Sequence, residues 1–438
     1  MKKLGVLVLT LLLASCGGTL AAAPVISAFR ASAAAVNSGE AVTLTWGVSN
    51  ASKVVLQPGA VDVTGRSSYA VTPAVSTVYT LQASGDSSSA QATAPVRVYD
   101  WSRLGSVLDG FVSSAVDPPS GSVAGYSFLL FDRSGVLLTR AAGDHSPSTP
   151  ETLASATKLP SALAILTLVD QGRLNLDTPI ASYLQGAGNP ITWPGDKAAI
   201  TMRMLLSHTS GLPGLGDGQP ACLNQPSTTT LRSCAQQIAS TALVSAPGAE
   251  FNYGGADYQV AGYVATLIAG ASSWQVFFNN AIAAPLGGIP SYSYGSPLTV
   301  SNPRIGGGAV SNVSDYATIL RMVQGGGASG GTRVLSASAI AALTGNQIQG
   351  LPNVYNPFPA DAAGDYPGYG LGVFISTPAL YKPSPGPEYS DPGLYGAVPW
   401  FDNGLGYGAV LLINQDTSTG LAMWNAARPL IIQQLSGG

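Results

Sequence analysis

The feature that most constrains the fold is a change of hydrophobic pattern near residue 100. Before it, apolar and polar residues alternate in short stretches such as 42–48, a period of two that predicts strands with one buried face. Pro58-Gly59 and similar turn-forming pairs separate these stretches. Several short strands at this spacing predict a small all-β sandwich over residues 24–100.

From residue 101 onwards, strands and helices are mixed. Apolar residues at helical or alternating spacing predict helices at 101–116, through 163–169 with an end near Gly172, and at 231–244, 256–269, 313–323 and 419–435, and strands at 126–132, 136–140, 396–401 and 409–414. Strands at both ends with helices between them predict an α/β (α+β) domain over 101–438, with a mainly antiparallel sheet flanked by helices.

The N-terminus has the pattern of an export signal. Lys2 and Lys3 precede an apolar run at 4–14, which suits a signal peptide and is too short to span a bilayer. The run ends in Leu-Ala-Ser-Cys, which resembles the lipobox of bacterial lipoproteins and implies lipid attachment at Cys16. We therefore expect a signal over 1–16, a tether over 17–23, and an exported protein anchored to a membrane on its periplasmic or cell-surface side. The alternative is an ordinary signal peptide cut near Ala23.

Composition excludes several other classes of protein. Charged residues are 9% of the chain and the net charge is −3, with no basic cluster beyond the N-terminus, which argues against a nucleic-acid partner. The apolar fraction of 46% is too high for a disordered chain. With two histidines and no CxxC pair, we expect no metal and no other cofactor. Because exported proteins meet oxidising conditions, Cys222 and Cys234 are expected to form a disulfide, with two unpaired thiols as the alternative.

One serine in the chain stands three residues before a lysine. On a helix this spacing places Ser155 and Lys158 on the same face, about one turn apart. A lysine in that position can take the serine proton, and a helix N-terminus favours the anion that forms on attack. The pair is therefore a candidate nucleophile and base.

Four motifs surround and follow this pair in the chain. They are LASATKLP at 153–160, LLSHTSGLP at 205–213, PGAEFNYGG at 247–255, and a Pro-Arg followed by a glycine run, a serine and an aspartate at 303–316. Together they resemble the serine β-lactamase and penicillin-recognising superfamily, in particular the class C-like branch that includes β-lactamase-type carboxylesterases. The N-terminal module resembles bacterial Ig-like domains. These resemblances imply a β-lactamase/transpeptidase-like fold carried on an Ig-like spacer.

The resemblance also assigns catalytic roles. Ser155 is the nucleophile of an acyl-enzyme mechanism, Lys158 its partner, and Tyr253 a second basic group. By the same alignment, the backbone N–H groups of Ser155 and Leu394 form the oxyanion hole. Free lysine and tyrosine titrate near 10, so either group needs a shift of about three pH units, roughly 4 kcal/mol, to act at neutral pH. Burial lowers a lysine pKa and a nearby ammonium lowers a tyrosine pKa, so which group deprotonates the serine stays open.

Two departures from the family pattern bear on the substrate. The tyrosine motif of the family ends in an asparagine that holds the acyl amide, and Gly255 stands there in this chain. The third family motif, a triplet with a cation that meets the substrate carboxylate, aligns with a segment from Asp391 to Gly393. Both losses favour an ester over a penicillin or a D-Ala-D-Ala peptide, and Gln259 is a possible replacement for the missing amide. We expect these four residues to contact substrate.

Three functional hypotheses follow from the sequence. The first is a carboxylesterase acting on a small ester. The second, with the same mechanism, is a D-amino-acid peptidase or β-lactamase acting on an amide. The third is a surface-binding protein that keeps the fold without turnover. The remaining signals are interpreted as structural: His208 as part of a turn, His145 as an exposed loop residue, and the GxSxG around Ser329 as coincidence.

Overall fold

The computed structural model describes residues 22–185, 191–295, 300–358, 364–376 and 386–436. The expected signal and lipobox, with Cys16, lie outside the described residues. Within the described ranges, no single helix has both the length and the hydropathy to cross a membrane, although the bent pair Ala256–Ala269 and Trp274–Ala283 would pass by length and composition. The chain divides into two compact units, Met1–Asp100 and Trp101–Gly438.

The described part of the first unit, residues 22–100, contains eight strands in two sheets. The strands are β1 (Val25–Ala31), β2 (Ala35–Asn37), β3 (Val42–Ser49), β4 (Lys53–Gln57), β5 (Val61–Asp62), β6 (Ser68–Val71), β7 (Thr77–Ser84) and β8 (Ser89–Tyr99). One sheet has the order β1-β3-β6 and the other β2-β8-β7-β4-β5. Alternate residues of β3 and β7, among them Leu44, Trp46 and Leu81, are buried in one core that both sheets share. The alternation in the sequence therefore predicted these buried faces.

The second unit contains a seven-stranded sheet. The described strands of this unit are β9 (Gly125–Asp132), β10 (Val136–Gly143), β11 (Glu151–Thr152), β12 (Phe251–Asn252), β13 (Val310–Ser311), β14 (Ala328–Ser329), β15 (Thr332–Arg333), β16 (Asn353–Tyr355), β17 (Gly368–Tyr369), β18 (Phe374–Ile375), β19 (Glu388–Ser390), β20 (Val398–Asp402) and β21 (Tyr407–Leu412), and seven of them form the sheet. The sheet runs β10-β9-β21-β20-β19-β18-β17, and every neighbouring pair is antiparallel. Strands from both ends of the unit thus meet at its centre.

Helices cover this sheet, which confirms the predicted fold class. They are α1 (Ser102–Asp109), α2 (Lys158–Asp170), α3 (Ala181–Leu184), α4 (Met202–Leu206), α5 (Leu231–Ala239), α6 (Ala256–Ala269), α7 (Trp274–Phe278), α8 (Val313–Gln324), α9 (Ala337–Thr344) and α10 (Thr417–Ser436). α1 ends well before the predicted residue 116. The backbone beyond it bonds to Val123 instead, which draws residues 111–113 out of helical geometry.

The two helices that carry the site are almost entirely buried. In α2 every residue from Lys158 to Leu168 is buried, and in α6 every residue from Ala256 to Ala265. A helix that is apolar on all faces must lie inside a domain rather than on its surface. The start of α2 is therefore fixed by packing on every side, which suits a segment that positions a reactive group.

A disulfide links Cys222 to Cys234, with 5.3 Å between the two Cα atoms. It joins the short turn Ala221–Asn224 to α5. The predicted bridge is thus confirmed, and both cysteines are fully buried.

Candidate active site

Ser155 lies in a single 3-10 turn, Ala154–Thr157, that leads directly into α2. Ala154 has a φ of +44°, in the left-handed region that residues with a Cβ seldom adopt. The hydroxyl of Tyr316 donates to the carbonyl oxygen of Ala156 at 2.7 Å and so helps to hold this turn in place. Ser155 is half-buried while its neighbours are buried, because its side chain reaches a cavity.

The cavity has a volume of about 320 Å³ and joins the three groups that the sequence predicted to act together. Ser155, Lys158 and Tyr253 all line it, and so do Gly255 and Leu394. Its other walls are Thr152, Ala154, Leu215, Gly254, Arg304, Gly306, Gly307, Tyr355, Pro357, Phe358, Phe374, Pro392, Tyr395 and Thr417.

Lys158 is the first residue of α2 and is only 2% exposed. Its Nζ donates to the carbonyl oxygen of Gly306 at 2.8 Å and lies 4.4 Å from the centroid of the Tyr253 ring. Burial lowers the pKa of Lys158 to about 8, while the charge of Asp391 opposes that shift. The amine is therefore much closer to neutrality at physiological pH than a free lysine.

The pKa of Tyr253 shifts in the direction opposite to the one expected from the sequence. Burial raises its pKa well above 10, the charge of Asp391 adds to this, and the Ser155 hydroxyl and the Arg304 charge act in the opposite direction. The prediction that a neighbouring ammonium would lower the tyrosine pKa is wrong in this structure. Lys158 lies over the face of the ring, and desolvation of the phenol outweighs the opposing contributions.

Asp391 does not face the cavity, contrary to the prediction that it contacts substrate. It is fully buried, and its Oδ2 accepts the backbone N–H of Leu159 at 3.2 Å. Burial raises its pKa to about 8, with the charge of Lys158 opposing. The first N–H groups of a helix have no acceptor within the helix. The Asp391 carboxyl group therefore accepts a hydrogen bond from the first turn of α2 and does not contact the substrate.

Gln259 and Gly393 also have structural positions instead of the predicted contacts with substrate. The Gln259 side chain is fully buried in α6, donates to Asn302 Oδ1 at 2.7 Å and accepts the N–H of Ile305 at 3.1 Å. At Gly393 a Cβ would collide with the carbonyl oxygen of Leu153. Glycine is thus needed there so that this loop can lie against the strand leading to the nucleophile.

Gly255 lines the cavity, and a second residue occupies the space of the missing side chain. Gln219 Oε1 accepts the N–H of Gly255 at 2.8 Å, and a Cβ added to Gly255 would lie 2.9 Å from that oxygen. Gln219 Nε2 donates to the carbonyl of Pro213 at 3.2 Å. A carboxamide is therefore present near this position, but it comes from a loop distant in sequence, which no local motif could reveal.

Leu394 is 64% exposed and lies at the cavity wall. The close approach of Gly393 to Leu153 places the start of this loop beside the turn that carries Ser155. An oxyanion hole formed by the two backbone N–H groups remains a prediction consistent with this placement.

The two histidines lie outside the cavity wall. His208 is buried with a φ of +57°, and its Nδ1 lies 3.0 Å from Asp257 Oδ2 while its ring packs 4.6 Å from that of Tyr253. Burial lowers the pKa of His208. The interpretation of His145 as an exposed residue is wrong: its side chain is 5% exposed and lies between Asp144, at 2.6 Å, and Glu151, at 3.0 Å.

Arg304 is a charged residue of the cavity wall to which the sequence analysis gave no role. It lies in the Pro-Arg that opens the fourth motif, so the signal was present, but nothing in the local pattern indicated where its side chain points.

With this geometry established, comparison with known proteins identifies the family. The Beta-lactamase family model matches residues 108–431, well over half of the chain, and the chain belongs to that family. The solved structure of a beta-lactamase-type protein from Bacteroides dorei DSM 17855 superposes with a TM-score of 0.62 at 25% identity, covering 76% of this chain and all of that one.

Similarity to curated proteins is more local. Protein flp of Staphylococcus aureus strain N315 is 28% identical over 178 residues, which are 39% of this chain and 35% of that protein. Esterase EstB of Burkholderia gladioli is 40% identical over 93 residues, 20% of this chain and 23% of that protein. The chain thus matches about a third or less of the length of these relatives, and their activities do not transfer as a whole.

Proposed function

We propose that this protein is a serine hydrolase that forms an acyl-enzyme on Ser155 and acts as a carboxylesterase. The observation that supports this best is the single cavity in which Ser155, Lys158 and Tyr253 meet. A non-catalytic binding protein would have no need for a buried lysine next to a half-exposed serine, since burying an amine costs free energy.

The chemistry follows from the two pKa shifts. Neutral Lys158 takes the hydroxyl proton of Ser155 while the serine Oγ attacks the carbonyl carbon of the ester. The N–H groups of Ser155 and Leu394 bind the oxyanion, where one donor is worth roughly 10²–10³ in rate. Tyr253, kept as a neutral phenol by burial, donates its proton to the departing alkoxide and regains it from Lys158. Water, deprotonated by the same pair, then releases the acid and restores the serine.

An ester is favoured over an amide by the cavity walls. Phe358, Phe374 and Leu215 give them an apolar character, and Gly255 offers no side-chain amide. The similarity to an esterase points the same way. Asp391 favours neither substrate class, because its buried carboxyl does not line the cavity. Amide or β-lactam hydrolysis is the second candidate, favoured by the Gln219 carboxamide beside Gly255.

Labelling with a fluorophosphonate tests the nucleophile. Ser155→Ala is expected to abolish labelling while leaving thermal unfolding nearly unchanged, because backbone hydrogen bonds and the Tyr316 hydroxyl hold the turn. Ser329→Ala is the matched control and should label as wild type does. Labelling that survives in Ser155→Ala refutes the assignment.

Comparing p-nitrophenyl butyrate with nitrocefin tests the substrate class. The ester is expected to be hydrolysed with a kcat/KM at least about a hundredfold higher, which corresponds to roughly 2.7 kcal/mol of transition-state binding. If nitrocefin is turned over as well as the ester, the peptidase or β-lactamase alternative replaces the esterase.

We also propose that the protein is an exported lipoprotein. The N-terminal signal pattern with Cys16 supports this, as does the disulfide between Cys222 and Cys234, which fits an oxidising compartment.

A further inference from the structure

Arg304 brings a positive charge to the wall of the cavity that contains Ser155. Its side chain runs past Gly307, with Nε 3.5 Å from the position of a Cβ there. The same Cβ position is 3.8 Å from the carbonyl carbon of Ala154, the residue before the nucleophile. The guanidinium is therefore held close to the reacting serine.

Among the described residues, no acid forms an ion pair with Arg304. Its Nη1 donates to Asn224 Oδ1 at 3.3 Å, a neutral partner. Across the part of the chain that the structure describes, the ion pairs involve other basic residues and none of them includes Arg304. A guanidinium has five N–H donors, so most of its capacity remains for a ligand.

The electrostatic effect of Arg304 reaches the catalytic groups. Its charge lowers the pKa values of both Lys158 and Tyr253. An anion bound to this guanidinium would thus lie within reach of the same groups, beside the bond to be cleaved.

From this placement we infer that Arg304 binds a carboxylate of the substrate, so that the preferred substrate is an ester that carries a carboxylate near its scissile bond. Arg binds carboxylates through two parallel N–H···O bonds, and neither water nor a lysine reproduces that geometry. The apolar residues Phe358 and Phe374 on the same cavity wall would take the hydrocarbon part. The inference rests on the proposed esterase function and narrows its substrate class.

A matched pair of substrates tests the inference. In 3-butyryloxybenzoate and 3-butyryloxybenzamide the acyl group is the same, and only the charge on the leaving group differs. A second pair, the phenyl monoesters of pimelic acid and of pimelamic acid, places the same difference on the acyl side. For at least one pair, wild type should favour the carboxylate by roughly tenfold to a hundredfold in kcat/KM.

Variants of Arg304 separate recognition from general effects on catalysis. Arg304→Gln should abolish the preference: with each enzyme measured at its own pH optimum, the ratio of kcat/KM between the charged and the neutral ester should fall to about one, whatever the change in the rate with the neutral ester. Arg304→Lys keeps the charge and should retain part of the preference. If wild type shows no preference in either pair, or if Arg304→Gln lowers both members equally, the inference is wrong while the esterase function stands.

A binding measurement covers the case in which no ester is turned over. In Ser155→Ala, isothermal titration calorimetry compares 4-phenylbutyrate with 4-phenylbutyramide. Tighter binding of the acid that is lost on adding Arg304→Gln supports the anion site even if the proposed esterase function fails. Equal binding of the two ligands overturns it.

Discussion

The ammonium group of Lys158 is enclosed by protein on nearly all sides. Its side chain is 2% exposed, the Gly306 carbonyl accepts one of its protons, and the Tyr253 ring covers it. Loss of hydration disfavours the charged form, and the Arg304 charge adds to this effect. Because Tyr253 shifts in the opposite direction, the lysine is the group that can accept a proton from the serine.

The pH dependence of ester hydrolysis should report the titration of Lys158. Only the neutral amine can act as base, so kcat/KM for a neutral ester should rise about tenfold per pH unit below the lysine pKa of about 8 and level off above it. In Arg304→Gln the limb should move to higher pH, because removing a cation stabilises the ammonium. A wild-type limb centred below pH 6 would contradict Lys158 as the base.

At the residue scale, the sequence predicted which side chains meet in one cavity, but it did not predict every side-chain orientation, and the catalytic roles stay predictions. Ser155, Lys158 and Tyr253 were identified because their chemical types and motifs fit one mechanism. Gln259 and Asp391 were misassigned because a motif position does not say whether a side chain points to solvent or into the core. Arg304 was overlooked for the same reason, since only the folded loop shows that it lines the cavity.

The first turn of α2 is the element on which the site depends. Asp391 accepts a hydrogen bond from the backbone N–H of Leu159, the residue that follows Lys158, the proposed base. A buried N–H that loses its acceptor costs about 1–3 kcal/mol. Asp391 thus affects both the stability of the first turn of α2 and, through its charge, the pKa of Lys158.

Two substitutions at Asp391 should separate these effects. Asp391→Ala removes the acceptor and should lower the free energy of unfolding by about 1–3 kcal/mol in urea denaturation. Asp391→Asn keeps an acceptor oxygen and should be more stable than the alanine variant. Since the Asp391 charge raises the pKa of Lys158, the asparagine variant should shift the activity limb to lower pH. A shift to higher pH would be inconsistent with this electrostatic coupling.

The loop closed by Cys222 and Cys234 can be tested in the same way. Replacing both cysteines by serine should lower the free energy of unfolding by roughly 2–4 kcal/mol, because the unfolded chain regains the conformational entropy that the disulfide-closed loop had removed. Urea denaturation of wild type under reducing conditions is the control and should approach the variant. Equal stability of variant and oxidised wild type would show that the bridge contributes nothing.

Element boundaries were predictable where the sequence marks them. The helix Ala256–Ala269 has the predicted bounds, with Gly255 before it and Gly270, in left-handed geometry, after it. The first helix was predicted too long because its apolar spacing continues past Asp109, while the backbone there pairs with Val123. Such a pairing depends on residues outside the local window.

At the scale of the whole molecule, every residue of the cavity wall belongs to the second unit. Among the residues that the structure describes, the first unit contributes none to the cavity wall, and its role as a spacer stays a prediction. The activity should therefore not depend on lipid attachment, and the two properties can be examined independently.

Membrane attachment should depend on Cys16. Cys16→Ser is expected to move the protein from the membrane fraction to the soluble fraction, or to block its processing, because we propose the Cys16 thiol as the site of acylation. Ser15→Ala leaves the cysteine in place and serves as the control. If Cys16→Ser fractionates as wild type does, the lipoprotein interpretation is wrong.

The pairing of β9, the second strand in the order of the large sheet, has a consequence for biosynthesis. β9 is buried along nearly its whole length, and one of its edges pairs with β21, which follows it by well over half the chain. Until the ribosome has made residues 407–412, a nascent chain presents an unpaired apolar edge, the kind of surface that promotes aggregation. Products of premature termination before that point should therefore need chaperones or be degraded, since the missing strand is the one that joins β9 to β20 and so to the rest of the sheet.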